Sequence, residues 1–499
     1  MTKQGAAVLS LVLPYDGSER LWKTWALAEQ AIDFRKDAAE ADRCTAAFAA
    51  LELKTHLAKS DGGLTVVVRQ DAPRAGRFIE LAIEPGPADD GFTLAPRGEG
   101  LLVSGHGRKG LLNGVYEVLR LRGWRWLEPG AYGEAPPVAR GFHWPRRPVT
   151  VRPSFAYRGL DAYRGSHDSI DYLLWMARNR LNVYFRKAAS AKMADKLGMI
   201  SRQGGHLLAL LTDPDRLSAG GRTLWEEHPE WYGLPEDGRR TKAVATRIQL
   251  CAAQPSLWRF LADELLGLLA TSLAGVDIVD FWGFDTWGKT CACASCRAMG
   301  NGADQQLQLF SRLRHSLDKA RGDGRLNRKV LLSMAAYEGT ASLTPPSKPV
   351  PENLRRAGDL VIFYPIKRCY RHALGDPQCE INRPYHAALT GWGRRVRGMS
   401  LWSGEYYNVS KYEDLPLLFS RVIPPDMRRY QAAGASGVTY MHALYGNWGM
   451  RALTQLQHAH YAWNGRVRDE AVLDDYFRRK YGPYAGAVRA AYALIQTGS

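Results

Sequence analysis

The chain has 499 residues, of which 45% are hydrophobic and 23% charged, and this composition indicates a globular protein with more than one domain. The net charge of +17 favours anionic partners, but the arginines are scattered and no recognition-helix pattern or zinc-finger histidine pair occurs, which argues against nucleic acid. No apolar run approaches the ~20 residues of a membrane span, so we expect no membrane association. The start lacks the apolar core of a signal peptide, which predicts a cytoplasmic location if the start is native and a periplasmic or secreted one if a signal peptide was trimmed.

Residues 1–145 alternate short apolar strands with helices, which predicts a small α/β domain. The strands are expected at 8–13, 64–69, 78–83 and 101–104, and the helices at 41–59 and 110–119. A connector rich in proline and arginine runs through Pro153 and indicates a domain boundary.

Residues 153–465 contain eight strand-then-helix units, and this alternation predicts a (β/α)8 barrel. The predicted strands are 155–160, 181–186, 199–201 or 207–211, 276–284, 329–336, 359–364, 398–402 and 437–441. The predicted helices are 169–179, 255–273, 304–319, 382–395, 413–432 and 449–463. Residues 466–499 are expected to form a C-terminal helical extension.

The stretch 280–296 follows an apolar strand and places a carboxylate, Asp285, among Trp282, Phe284 and Trp287. Aromatic rings beside an acid are typical of sugar sites, and apolar surroundings raise the pKa of a carboxyl group toward that of a general acid near neutral pH. The alternative interpretation is that Asp285 caps a turn and the tryptophans belong to the core.

Chemistry in such barrels is located where strands end and loops begin. Glycoside hydrolysis usually needs two carboxyl groups across the scissile bond. We expect Asp285 to pair with Glu405 as the catalytic residues, with Glu338 as the substitute for Glu405. Strand-end acids also form structural ion pairs with arginines, and this alternative applies to each of the three.

The same reasoning about strand ends and aromatic residues gives twelve candidates for substrate contact. They are Arg158, Asp161, Lys187, His206, Trp282, Trp287, Arg368, Arg371, His372, Trp402, Tyr406 and His442. The arginines and lysine could hold a carboxylate or sulfate on a sugar, or could be ordinary surface charges. Two glycines precede His206 and would let the backbone approach a ligand, and the aromatic residues could equally be barrel core.

Seven cysteines are present, and three of them form the run Cys291, Cys293 and Cys296. Together with Cys251 they could hold a structural zinc ion, form disulfides, or remain free thiols. Cys369 and Cys379 close a short loop and could be bridged in an oxidising compartment. None of these patterns is typical of a catalytic cysteine, and we expect no cofactor to be required for catalysis.

Several motifs resemble known glycan-degrading families. The segment 157–164 (Tyr-Arg-Gly-Leu-Asp-Ala-Tyr-Arg), followed by 175–182, resembles the first strand and helix of the barrel in family 20 β-hexosaminidases. A further set of motifs is similar to the family called domain of unknown function 4838, which is itself similar to family 67 α-glucuronidases. These motifs are Gly204-Gly205-His206, His228-Pro229-Glu230, Cys251 with Pro255, Asp285 with the cysteine run, and Glu405-Tyr406-Tyr407.

The resemblance spans nearly the whole chain and implies a small α/β domain before a catalytic barrel. It implies that Arg158 holds substrate and that Asp285 occupies the position of the acid after the fourth strand. Family 20 enzymes carry an Asp-Glu pair there, whereas 284–286 (Phe-Asp-Thr) has one carboxylate, which disfavours an acetamido-assisted mechanism. The family 67 enzymes place acids after the fourth strand and on later strands, which Asp285 and Glu405 fit better.

The sequence therefore predicts an exo-acting glycoside hydrolase that releases an acidic sugar, such as a uronic acid, from an anionic oligo- or polysaccharide. A glycan-binding protein on a hydrolase scaffold, a β-N-acetylhexosaminidase-like enzyme and a nucleic-acid-binding protein are the alternatives. The sequence predicts no particular oligomeric state.

Overall fold

The computed structural model describes residues 7–60, 64–86, 89–138, 145–163, 169–407, 419–444 and 448–498. These ranges contain sixteen strands: β1 (Ala7–Val12), β2 (Leu64–Arg69), β3 (Arg77–Glu84), β4 (Phe92–Arg97), β5 (Gly100–His106), β6 (Arg125–Trp126), β7 (Glu134–Ala135), β8 (Val149–Val151), β9 (Tyr157–Tyr163), β10 (Val183–Phe185), β11 (Ile200–Gln203), β12 (Ile278–Asp280), β13 (Leu331–Tyr337), β14 (Leu360–Tyr364), β15 (Ser400–Glu405) and β16 (Gly437–Leu444).

Sixteen α-helices lie in the same described ranges: α1 (Glu19–Ala26), α2 (Ala38–Ser60), α3 (Gly107–Arg122), α4 (Ile170–Arg178), α5 (Ala191–Lys196), α6 (Leu207–Leu211), α7 (Leu224–Glu227), α8 (Pro255–Ala270), α9 (Ala294–Met299), α10 (Gly302–Gly322), α11 (Glu352–Ala357), α12 (Asn382–Arg395), α13 (Ile423–Ala432), α14 (Trp448–Trp463), α15 (Asp469–Tyr481) and α16 (Ala485–Gly498). Short 3-10 turns occur at Glu29–Ala31, Ala131–Gly133, Ala188–Ser190, Pro229–Trp231, Lys242–Arg247 and Gly482–Tyr484. Among the residues described, no helix is long and apolar enough to span a bilayer.

The N-terminal domain is built on a six-stranded sheet in the order β2-β1-β3-β5-β4-β8. The first four strands in this order are parallel, and β4 is antiparallel to both β5 and β8. The predicted α/β domain is therefore present. Strand β4 escaped prediction because it contains Pro96, and proline weakens the sequence signal of a strand.

Strands β6 and β7 form a two-stranded sheet, and the other eight strands close into a barrel in the order β10-β11-β12-β13-β14-β15-β16-β9. Neighbouring strands are parallel, with Ile278 opposite Leu331 and Leu360 opposite Ser400. The predicted eight-stranded barrel is confirmed, and each strand lies within a few residues of its expected position. Strand β14 (Leu-Val-Ile-Phe-Tyr) is buried along its full length, as a strand covered on both faces must be.

The third strand is β11, and the alternative segment 207–211 is the short helix α6. The run Leu-Leu-Ala-Leu-Leu is apolar at every position, so its periodicity cannot distinguish a helix from a strand. Helix α10 starts where Asn301 forms a capping box with Asp304, since each residue's backbone N–H donates to the other's side chain.

The chain divides into two compact units. The first comprises Met1–Met199, Tyr412–Ser420 and His442–Ser499, and the second comprises Ile200–Lys411 and Arg421–Met441. The first unit contains the N-terminal sheet, β9, β10 and the C-terminal helices α14 to α16. In that unit α15 and α16 pack together, with the rings of Phe477 and Tyr492 5.5 Å apart and edge to face.

Candidate active site

Two carboxylates follow neighbouring strands in the second unit. Asp285 follows β12 and Glu338 follows β13 directly. The loop of Asp285 is tied to the next loop by Thr286 N and Trp287 N, which both donate to the carbonyl of Gly339, at 2.6 and 2.9 Å. A Cβ on Gly339 would lie 2.4 Å from Asp285 Oδ1, so only glycine lets the carboxylate come this close to the loop. Asp285 therefore lies against the residue that follows Glu338.

Both carboxylates reach solvent, and a histidine faces one of them. The side chain of Asp285 is 47% exposed and that of Glu338 is 31% exposed. His206 Nε2 is 3.8 Å from Asp285 Oδ1, while His206 Nδ1 donates to the carbonyl of Gly283 at 2.6 Å. This bond assigns the proton of a neutral imidazole to Nδ1 and leaves Nε2 as the acceptor on the side of Asp285. The aromatic residues thus leave Asp285 open, whereas the sequence predicted a more enclosed carboxyl group.

Gly204, the first of the two glycines before His206, lies against the backbone of a neighbouring strand, whereas a Cβ on Gly205 would meet no atom within 4 Å. Gly204 has φ +127°, and a Cβ there would lie 2.1 Å from the carbonyl oxygen of Asp280. Gly205 N donates to the same carbonyl at 3.2 Å. The close approach is therefore to the backbone of the neighbouring strand, and it sets the position of His206.

Gln249 fixes the two residues on either side of Asp285. Its side-chain amide donates to the carbonyl of Phe284 at 2.5 Å and lies 3.1 Å from Thr286 Oγ1. Its backbone N–H donates to the carbonyl of Lys289, so side chain and main chain hold the same loop. Gln249 was missed from the sequence because it lies in a loop-rich segment with no motif around it.

Five aromatic side chains near Asp285 form a cluster: Trp282, Trp287, Tyr337, Tyr364 and Tyr406. The Trp287 side chain is 49% exposed, and its backbone has φ +51°, an uncommon conformation for a bulky residue that is typical of functional loops. Its ring lies 5.8 Å from that of Tyr337, which in turn lies 6.4 Å from Tyr364. Trp282 and Tyr406 pack on Tyr364 at 5.2 and 6.0 Å. Trp287 is exposed and suits the apolar face of a sugar ring, whereas Trp282, Tyr337, Tyr364 and Tyr406 are buried.

Lys367, which was not among the predicted residues, contacts both Trp287 and Glu338. Lys367 Nζ lies 3.9 Å from the centroid of the Trp287 ring and 3.7 Å from Glu338 Oε2, and its side chain is 60% exposed. Glu338 also contacts Tyr385, whose pKa is raised by burial and further by this carboxylate. Lys367 follows β14 closely, so the strand-end rule that selected Arg368 would also have selected it.

A buried ion pair contacts two residues of the aromatic cluster, Tyr364 and Trp282. Arg202 Nε is 2.9 Å from Asp280 Oδ1, and Arg202 Nη2 donates to the hydroxyl of Tyr364 at 2.8 Å. The guanidinium also lies 5.8 Å from the ring of Trp282. The pair orients the two aromatic residues that contact it and was also missed from the sequence.

Glu405 and Arg368 form a second, fully buried network. Arg368 Nη1 donates to Glu405 Oε1 at 2.8 Å, and Arg368 Nη2 to Asp426 Oδ2 at 2.5 Å. Tyr370 donates to Glu405 Oε2 at 3.1 Å, and Tyr430 donates to Oε1. Both Arg368 and Glu405 lack exposed surface, which differs from their expected roles as substrate clamp and second catalytic carboxylate. A sugar cannot reach groups whose atoms are covered by protein.

Two carboxylates in this network share one arginine. Burial raises the pKa of Glu405 to about 7, Asp426 adds to the increase by charge repulsion, and Arg368 opposes it. Burial raises the pKa of Asp426 in the same direction. Burial therefore favours the protonated form of both carboxyl groups.

This raised pKa gives a test by pH. The pKa of Glu405 is higher in the folded protein than in the unfolded chain, where it is about 4.5, so the folded state binds the proton more tightly. This stabilises the fold fully below pH 4.5, and the stabilisation is lost as the pH rises toward 7. Relative to Glu405→Gln, the free energy of unfolding of the native protein should fall by about 2 kcal/mol between pH 5 and pH 7.5. Urea denaturation of both proteins across this range measures it. Among the described residues, the ionisable groups facing Glu405 are Arg368, Tyr370, Tyr406, Tyr407, Asp426 and Tyr430.

Buried histidines also make stability depend on pH, as for His458, whose pKa is lowered to about 4 by burial. Their contribution is the same in both proteins, so it cancels when the two free energies of unfolding are subtracted. A difference that is constant with pH would show that Glu405 is ionised throughout the range.

Three of the predicted substrate-contact residues, Arg158, Asp161 and Lys187, lie in the first unit. Arg158 is fully buried, donates to Asp90 Oδ2 at 2.5 Å, and gives its other donors to backbone carbonyls, including that of Arg180 at 2.8 Å. It therefore joins β9 to the N-terminal domain and has no surface for the substrate it was expected to hold. Asp161 is buried near His458, and Lys187 is partly exposed with Nζ 5.5 Å from the ring of Phe185.

The remaining candidates differ in exposure. Trp402 is fully buried and donates to Ser400 Oγ, so it is core, as the alternative interpretation allowed. Arg371 and His372 are exposed after β14, and His372 Nδ1 lies 3.3 Å from Cys369 Sγ. His442 lies on β16, but its side chain is outside the described part of the structure.

None of the seven cysteines, all of which lie in the described ranges, forms a disulfide. The sulfur atoms of Cys251, Cys291, Cys293 and Cys296 lie within 4.8 Å of one another, so the four residues expected to be together are brought together. Cys369 and Cys379 are also close, and His372 shares their cluster.

Several solved structures with a similar fold are glycan-active enzymes. A GH138 enzyme targeting pectin rhamnogalacturonan II is 12% identical with a TM-score of 0.58, covering 97% of this chain and 55% of that one. A GH115 4-O-methyl-α-glucuronidase with specificity for decorated arabinogalactans is 12% identical with a TM-score of 0.53, covering 99% and 62%. The chain spans less than two thirds of the length of both.

A mutant Streptomyces plicatus β-hexosaminidase in complex with its product GlcNAc is 14% identical with a TM-score of 0.50, covering 97% of this chain and 92% of that one. The chain thus shares its fold with these three glycan-active enzymes. The chain itself belongs to the family described as Domain of unknown function (DUF4838), which matches residues 131–493. No curated protein matches the sequence.

Proposed function

We propose that this protein is an exo-acting glycoside hydrolase that removes a terminal acidic sugar, a uronic acid, from an oligo- or polysaccharide. The observation that carries the proposal is the pair Asp285 and Glu338, two solvent-accessible carboxylates on adjacent loops beside an exposed aromatic ring. Hydrolysis of a glycosidic bond usually requires two carboxyl groups.

Asp285 is the proton donor in this proposal. Its protonated carboxyl group would give its proton to the leaving oxygen, and His206 Nε2, 3.8 Å away, is placed to exchange a proton with it. Gln249 and Gly339 hold the loop, so the carboxyl group is oriented before the sugar binds.

Glu338 is the second carboxylate, and it replaces Glu405 in that role because Glu405 is buried and bonded at both oxygens. It would act as the base for water or as the nucleophile. Lys367 Nζ lies 3.7 Å from Glu338 Oε2 and would offer a positive charge to a uronate. Loss of turnover in Glu405→Gln with normal turnover in Glu338→Gln would return the role to Glu405.

The acidic sugar is supported by Lys367 and by the net charge of +17. A GH115 4-O-methyl-α-glucuronidase shares the fold, which makes uronic acids the first class of substrate to assay. The test is incubation of the protein with uronic acid glycosides, neutral glycosides and N-acetylhexosaminides, with the products identified by mass. Release of single uronic acid residues supports the proposal, whereas oligosaccharide binding without any cleavage would identify a glycan-binding protein.

Trp287 is expected to act as the platform under the sugar. Replacement by alanine removes a half-exposed ring whose burial by substrate contributes about 1 kcal/mol, which corresponds to a rise in KM of roughly fivefold with a smaller change in kcat. Steady-state kinetics on the released sugar measure both constants. Trp287→Phe should restore most of the affinity, and Tyr132→Ala, which removes an exposed ring of the N-terminal domain, is the control. An unchanged KM in Trp287→Ala would exclude stacking on this ring.

A further inference from the structure

The four clustered cysteines come from two loops of the second unit. Cys251 lies just before α8, and Cys291, Cys293 and Cys296 lie between β12 and the first turn of α9. Cys251, Cys291 and Cys296 are buried and Cys293 is partly exposed, so four polarisable sulfur atoms enclose one small volume.

The spacing of the sulfur atoms fits a shared metal ion. Cys251 Sγ is 3.7 Å from Cys293 Sγ and 3.7 Å from Cys296 Sγ. Four thiolates placed tetrahedrally at ~2.3 Å from a zinc ion are about 3.8 Å from each other. Disulfide-bonded sulfurs would be ~2.05 Å apart, and one sulfur cannot bond two partners in that way.

The backbone around the cluster supplies donors to the sulfur atoms. Leu234 N donates to Cys291 Sγ at 3.3 Å and Cys296 N donates to Cys293 Sγ at 3.4 Å. Cys293 is the N-cap of α9, so its sulfur also faces the positive end of that helix. Such donors stabilise thiolates and orient them as metal ligands.

We propose that Cys251, Cys291, Cys293 and Cys296 bind one structural Zn²⁺ ion. Binding exchanges the four thiol protons for the metal, which leaves all four ligands as thiolates and no open coordination position. Four sulfur ligands suit zinc or iron, and zinc is chosen because its affinity for such ligands exceeds that of Fe²⁺ and it needs no redox partner.

The ion would connect the two segments that hold Asp285. Cys251 lies two residues after Gln249, whose side-chain amide donates hydrogen bonds to the residues before and after Asp285. Cys291 lies six residues beyond Asp285 on the same loop. The carbonyl of Trp231 accepts from Cys251 N at 2.8 Å, so a third segment is fixed to the same point. The zinc site therefore stabilises the loop that carries the candidate acid, without contacting substrate itself.

The test is the metal content of the full chain, purified under reducing conditions without a metal-affinity step and measured by mass spectrometry. We expect about one zinc per chain in the native protein and in Cys379→Ser, and a loss of at least tenfold in Cys293→Ser. Cys379→Ser is the matched control because it removes a thiol of the other cysteine cluster.

A second measurement on the native protein covers the case in which Cys293→Ser fails to fold. Titration of the thiols with a mercurial should release zinc to a colorimetric chelator, and replacement by Co²⁺ should give the visible spectrum of a tetrahedral four-thiolate site. Iron in place of zinc, no bound metal after reconstitution with zinc, or metal lost from Cys379→Ser instead would each overturn the proposal. None of these results depends on glycosidase activity, so the zinc site and the proposed function fail separately.

Discussion

Replacement of Asp285 by asparagine is expected to lower kcat/KM on natural glycosides by about 10²–10⁴-fold, the usual contribution of a general acid. The amide keeps the shape of the side chain and its position against Gly339 but has no proton to give. Steady-state kinetics on an oligosaccharide, with released sugar as the readout, measure the loss.

The leaving group distinguishes a proton donor from the other roles of a carboxylate. A nitrophenolate leaves without protonation, so Asp285→Asn should lose much less activity on a nitrophenyl glycoside than on a natural linkage. The matched control is Asp323→Asn at the end of α10, because the Asp323 side chain is also 47% exposed. Equal losses on both substrates would show that Asp285 is not the acid, and activity equal to the native protein on both would remove it from the mechanism.

The barrel was predictable because its strands are short apolar runs separated by helices with clear amphipathic spacing. Strands β12 to β16 lie close to their expected ranges, since burial on both faces requires continuous apolar sequence. The short helix α6 and strand β4 were not predictable, because an all-apolar pentapeptide and a proline-containing strand carry ambiguous local signals.

The candidate site was predictable only in part. The strand-end rule identifies Asp285, Glu338 and Glu405 alike, but it cannot state which carboxylate reaches solvent. Exposure of a carboxylate depends on residues far along the chain. Asp426 on helix α13, for example, forms an ion pair with Arg368 and completes the buried network around Glu405. Gln249 is a similar case, because its contact with Phe284 spans 35 residues and has no sequence signature.

Removal of the guanidinium in Arg368→Ala is expected to lower the free energy of unfolding by about 3–5 kcal/mol, the cost of leaving buried charges without their partner. Arg368 bonds to both Glu405 and Asp426, and all three side chains are buried. Chemical denaturation followed by tryptophan fluorescence measures the change. Arg355→Ala is the control, since Arg355 is 41% exposed in its ion pair with Glu352 and its loss should cost less than about 1 kcal/mol.

Neutralising the two acids provides the decisive comparison. If buried charge is the cause, adding Glu405→Gln and Asp426→Asn to the Arg368→Ala protein should recover part of the lost stability, because no unpaired carboxylate then remains. A loss below 1 kcal/mol in Arg368→Ala would mean that water reaches the network in solution. Glu405 would then be accessible to substrate, and the pairing of Asp285 with Glu405 predicted from the sequence would be preferred over the pairing with Glu338.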